Sequence, residues 1–149
     1  MARTPEKVRA TFDDANLVLK AYDLRREPRL REARVWFRDS FKAKTLDDWS
    51  RLCTPGSEEN ASFRMVTSYW EMVASFITSG VLNEELFFQS GRELLFVWER
   101  IRDIVPAYRT MMKHPNELRN FEVVANRFTE WFKTQGPEAY EAFSKRVRG

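Results

Sequence analysis

Apolar positions recur at intervals of three and four along almost the whole chain, which is the spacing of one face of an α-helix. Val8, Phe12, Ala15, Leu19 and Tyr22 form the first such stripe. Thr4 before Pro5 offers a capping hydroxyl and a ring with φ already set for a first turn, so a helix is expected from there to about Arg26. Pro28 breaks it and opens a second helix with Leu30, Ala33, Phe37 and Phe41 on one face and Trp36 beside them. Thr45-Leu46-Asp47-Asp48 reads as a capping-box start for a short helix that stops before Pro55-Gly56.

Ser57, followed by Glu58 and Glu59, starts a long helix that should end at Gly80. Phe63, Val66, Trp70, Val73 and Ile77 make one apolar row on it. Met65, Tyr69, Met72 and Phe76 make a second row on another side, so this is expected to be the central helix. Asn83 caps a short segment with Leu86, Phe87 and Phe88, and the chain turns or kinks at Ser90-Gly91. Leu94, Val97, Trp98, Ile101, Ile104 and Val105 give another helix, which Pro106 should kink or end. After the break at His114-Pro115, Leu118, Phe121, Val124, Ala125, Phe128 and Phe132 define the next helix, with Trp131 alongside. Gly136-Pro137 ends it and starts a last one carrying Tyr140, Phe143 and Val147. No segment alternates as a strand does, and no repeat or linker divides the chain. The reading is all-α: one domain over residues 1–149, an irregular antiparallel bundle of four or five long helices plus short ones.

Composition narrows the chemistry. At 149 residues and 43% hydrophobic, the chain is long enough for one real core and too apolar for disorder. One cysteine, Cys53, excludes an internal disulfide, and one histidine, His114, excludes His-rich metal sites. No Gly-rich phosphate loop is present. The N-terminus has no apolar signal segment, and the weakly polar run at residues 65–80 is too short to span a bilayer, so a cytoplasmic protein without a membrane span is expected.

Four features hold candidate chemistry. Arg64, Ser68, Glu71, Ser75 and Thr78 share one face of the central helix, and Glu71 is the only acid deep inside it. With Arg64, Arg92 or Arg100 as counter-charge, Glu71 is a candidate ligand anchor or base, set against a structural ion pair or a stripe turned to solvent. Cys53 could act as a nucleophile only beside a base, and the usual role of such a residue is a small buried hydrophobe.

The segment 25–44 is the strongest binding signal. It is rich in Arg and Lys, with Arg31, Arg34 and Arg38 on one helix face and Trp36-Phe37 interleaved. Arginine forks suit phosphate oxygens, and an aromatic ring can stack on a base. Glu27, Glu32 and Asp39 dilute the patch, Glu27 and Arg31 are spaced as a salt bridge, and the overall charge is only +3, so nucleic acid is possible but not favoured. The fourth feature is the aromatic excess of 12 Phe, 5 Trp and 4 Tyr. The doublets Trp36-Phe37, Phe87-Phe88 and Trp131-Phe132 are either buried from two sides or form an exposed contact surface, with 83–90 the favoured place for exposure. Trp36, Phe87, Phe88 and Trp131 are therefore the interaction candidates.

Tyr22-Asp23-Leu24-Arg25-Arg26-Glu27, Gly56-Ser57-Glu58-Glu59-Asn60, Tyr69-Trp70-Glu71-Met72 and Leu95-Phe96-Val97-Trp98 resemble stretches of a family of small helical bacterial proteins classed as a domain of unknown function. The resemblance covers most of the chain and implies an all-α domain of bacterial origin. Some members of that family carry a transmembrane helix before the domain; this sequence opens directly on its first amphipathic stripe. The resemblance brings no catalytic signature. The expected function is a non-enzymatic protein-interaction or scaffold module, able to self-associate, with no cofactor and no metal. The alternatives are an anion or nucleic-acid binder through residues 25–44 and a small-ligand site around Glu71.

Overall fold

Most helix starts are fixed by side chains a few residues away in sequence. In the computed structural model, which describes residues 8–149, the chain forms α1 (Phe12–Leu24), α2 (Pro28–Ser40), α3 (Leu46–Leu52), α4 (Glu58–Thr78), α5 (Glu84–Phe88), α6 (Arg92–Ile101), α7 (Val105–Met112), α8 (Arg119–Gln135) and α9 (Ala139–Arg148). No strand is present among the described residues. Thr45 and Asp48 form the expected capping box, and Ser57 and Asn83 accept the N–H groups of Asn60 and Leu86. Pro28 and Pro106 sit in first turns, where a missing N–H costs nothing. Gly80 closes α4 with φ 81°, a left-handed conformation that a side chain would strain.

α4 is central. It packs against α2 on one side and α8 on another, while α6 packs against α8 and α9. Its first row, Phe63, Val66, Trp70, Val73 and Ile77, is fully buried. Rings from other helices close around it: Phe37, Phe41 and Phe63 stack in series, and Trp49 and Tyr108 meet Phe63 edge-on. Each large side chain so buried contributes about 1.5–3 kcal/mol.

α1 departs from the sequence expectation. Thr4 and Pro5 lie outside the described residues; the helix begins instead after Thr11, whose hydroxyl and backbone form a capping box with Asp14. Val8 precedes the helix. The stripe of Phe12, Leu19 and Tyr22 faces solvent, and Asp14 and Ala21 face the bundle, with Leu17 and Val18 half-covered. Polar ties hold that inner face. The Tyr69 hydroxyl donates to the Ala21 carbonyl, and Asp14 accepts the Asn83 backbone N–H at 2.8 Å. These bonds need the polar side of α1 turned inward, which leaves the apolar stripe outside.

Candidate functional site

Glu71 is half-buried on α4, opposite the start of α8. That helix has no capping side chain of its own: Leu118 occupies the N-cap with φ 59°. Glu71 supplies the cap across the interface. Its Oε1 accepts the Phe121 N–H at 3.0 Å, and its Oε2 accepts Asn120 Nδ2 at 2.8 Å. Asn120 Oδ1 in turn accepts the Thr78 hydroxyl at 2.7 Å. A carboxylate at a helix N-terminus satisfies an orphan donor and meets the positive end of the dipole.

The rest of the predicted Glu71 constellation does not converge on it. Arg64 binds Asn60 one turn back at 2.9 Å, and Ser68 and Ser75 donate to the carbonyls of Met65 and Met72 on their own helix. Arg100 lies elsewhere. It donates to the Arg38 carbonyl at 2.7 Å, to the Phe37 carbonyl at 3.1 Å and to the Val147 carbonyl at 3.1 Å, joining the ends of α2 and α9.

The three arginines on α2 do come together. Arg31, Arg34 and Arg38 line a groove of about 510 Å³ with Arg92 and Phe96 from α6 and Phe143 from α9. Val35 completes the α2 side. Glu93 stands at one edge. It takes Arg34 Nε at 2.9 Å and Arg25 Nη1 at 2.5 Å, a bridge from α6 to the start and the middle of the basic segment. Arg25 also lies 4.6 Å from the Tyr22 ring centre and 5.6 Å from that of Trp70. Arg38 pairs with Asp39 at 3.0 Å, and the hydrogen bond from Arg38 holds the Asp39 carboxyl below its ordinary value. The expected Glu27–Arg31 bridge gives way to two backbone bonds: Glu27 caps Leu30 N–H at 3.0 Å, and Arg31 donates to the Arg26 carbonyl at 3.3 Å.

Glu99, with 2% of its surface exposed, is the more deeply buried of two acids that periodicity did not single out, Asp14 being the other. It accepts the Tyr140 hydroxyl at 2.5 Å and the Ser144 hydroxyl at 2.7 Å, and Arg102 stands 3.5 Å away. It pins α9 to α6. The hydroxyl partners lie more than forty residues downstream, so no local spacing announces them. Cys53 is buried, and desolvation, helped by Glu59, pushes its thiol up to about 11. Such a thiol carries almost no thiolate at neutral pH. Among the described residues no three His, Cys, Asp or Glu side chains gather as a metal site.

The aromatic doublets are buried from two sides. Phe87 and Phe88, the favoured exposed pair, are 4% and 5% exposed. Phe87 meets Trp70 while Phe88 packs on Phe128 and Trp131. Trp36 and Trp131 are half-covered against the same core. Among the helices, the most exposed large apolar side chains are on α1 instead, where Phe12 is 91%, Leu19 66% and Tyr22 56% exposed. Sequence periodicity had found those residues but could not say which way they point.

Three of the four stretches that carry the family resemblance are framework. Arg25 and Glu27 tie α1 to α2 and α6, Ser57 and Asn60 anchor the start of α4, and Tyr69, Trp70 and Glu71 hold α1, the core and α8. Comparison with known proteins agrees on the family and stops there. No curated protein and no solved structure matches the chain. A family model described as a domain of unknown function, DUF4760, matches residues 10–128, from just before α1 into α8. The chain belongs to that family, the DUF4760 domain of unknown function.

Proposed function

We propose that this chain is a non-enzymatic interaction module whose docking face is the outer side of α1, and that it pairs there with α1 of a second copy. The observation that carries the reading is the exposure of Phe12, Leu19 and Tyr22 on a single helix face. With Ala15 they are spaced three, four and three, the seam by which two helices pack. The seam is self-complementary when the two helices run antiparallel. Phe12 then meets Tyr22 at each end, and Ala15 meets Leu19 in the two middle layers, a small residue against a large one. A parallel arrangement would set Ala15 against Ala15 and leave a gap. The non-enzymatic part is supported by the use of Glu71 as a helix cap and of Cys53 as a buried hydrophobe.

Sedimentation equilibrium of the full chain over a wide concentration range tests the pairing. The wild type is expected to form a dimer, and Phe12→Glu with Leu19→Glu a monomer of unchanged helicity, because both side chains already stand in solvent. A wild type that stays monomeric at the highest concentration, or a double variant that dimerises equally well, would overturn the reading.

A further inference from the structure

The groove between α2, α6 and α9 has arginines on both its α2 and α6 sides, an apolar floor and charge left over. Arg31 and Arg92 have no carboxylate partner among the described residues. Arg31 makes one bond to a carbonyl, and Arg92 lies 5.2 Å from the Phe132 ring centre. Arg34 is held by Glu93, and Arg38 by Asp39 on the solvent side. Two guanidinium groups thus face the groove without a neutralising acid, and a third and fourth stand behind them. Guanidinium forks of this kind favour bidentate carboxylate or phosphate oxygens. The floor is of another kind: Val35 and Phe96 are apolar and partly exposed, and Phe143 lies beneath.

Nucleic acid fits this surface poorly. Binding to single strands needs exposed ring faces on which bases stack. Phe96 is half-covered, with Phe37 against it edge-on and Arg100 4.5 Å from its ring centre, and Phe143 is buried. Glu93 and Asp39 also offset half of the four arginines, leaving charge for a single head group rather than a run of phosphates.

We infer that the groove binds an amphiphilic anion, a carboxylate or phosphate head on one aliphatic chain, with Arg31 and Arg92 on the head and Val35 and Phe96 along the chain. The same head could reach the groove from a free acid or from a lipid surface; a groove of only about 510 Å³ is sized for a single free molecule.

Titration calorimetry of the full chain with laurate and with dodecyl phosphate, both below their micellar concentrations, tests this. Saturable binding of both is expected. Butyrate and inorganic phosphate should bind weaker by about tenfold or more, since several buried methylenes are absent from each. The variant Arg31→Glu with Arg92→Glu should lose about tenfold or more in affinity for laurate with its helicity unchanged. Absence of laurate binding would overturn the inference, as would equal binding by the double variant. Inorganic phosphate binding as tightly as dodecyl phosphate would also overturn it, because the floor would then contribute nothing. Flotation with phosphatidylglycerol vesicles, or retention of a labelled oligothymidine, in a protein that ignores monomeric laurate would assign the arginines to a membrane surface or to nucleic acid and remove the proposed ligand.

Discussion

Gly91 shows how closely one residue can be fitted. Its φ of −96° suits any amino acid, so conformation is not the reason for glycine here. Space is. A Cβ at this position would fall within the van der Waals surface of the Phe87 ring. That ring cannot easily yield, because Trp70, Phe88 and Phe128 surround it. Gly91→Ala is therefore expected to destabilise the fold by about 1–3 kcal/mol, read as a lower urea midpoint with an unchanged slope. An unchanged midpoint would mean that the α5–α6 corner moves more freely than its packing implies. At this position the sequence announced a turn or kink at Ser90-Gly91, and the turn is there. It could not announce the ring, since Phe87 meets Gly91 only once α5 has ended.

At the scale of the element, helix ends divide into those capped locally and those capped from elsewhere. Thr45, Ser57 and Asn83 each cap their own helix through a residue three positions on, and the chain states these starts openly. α8 is capped by Glu71 from the middle of α4, fifty residues away, and nothing near Leu118 predicts it. Glu71 was legible as an unusual acid, though its role was not. Removal of the carboxylate in Glu71→Ala should cost about 0.5–2 kcal/mol, the range of an ordinary cap. Glu71→Gln keeps an acceptor oxygen for the Phe121 N–H and loses only the charge, so it should cost less. Amide exchange at Phe121 distinguishes the two: it should accelerate in the alanine variant well before it does in the glutamine variant. α1 marks the converse limit of reading by element. The three-and-four spacing found its stripe correctly, but the inward direction of a helix is set by all of its bonds. For α1 these are the polar contacts of Asp14, Ala21 and Arg25.

At the scale of the molecule, the caps link stability to acidity. The Asp14 carboxyl is held below its ordinary value by the backbone N–H of Thr11 and then that of Asn83, and Asp48 likewise by Lys44 and Arg51. Groups with a lowered folded value stabilise the protein above the ordinary carboxylate range, and that stability is lost as pH falls through the folded value. The urea midpoint should therefore hold steady on the way down to about pH 4 and then fall. Asp14→Asn should flatten part of that fall; an unaltered profile would show that Asp14 is not a contributor. The all-α class, one core and most helix boundaries were readable in the sequence because caps and periodicity are local. The groove was half readable. Arg31, Arg34 and Arg38 share a helix face by spacing alone, whereas Arg92, Phe96 and Phe143 join them only through the packing of α6 and α9 on α2.

The manner in which α1 is attached has a consequence for how the molecule opens. Ala21 is its only buried apolar residue, Leu17 and Val18 are half-covered, and the rest of its hold is a few hydrogen bonds and the Arg25–Glu93 pair. Lifting α1 away uncovers part of Tyr69, Trp70 and Phe87, but less apolar surface than displacing α4 would, so this opening should cost less than global unfolding. Amide exchange in α1 should therefore run faster than in α4, whose inner apolar row is buried throughout.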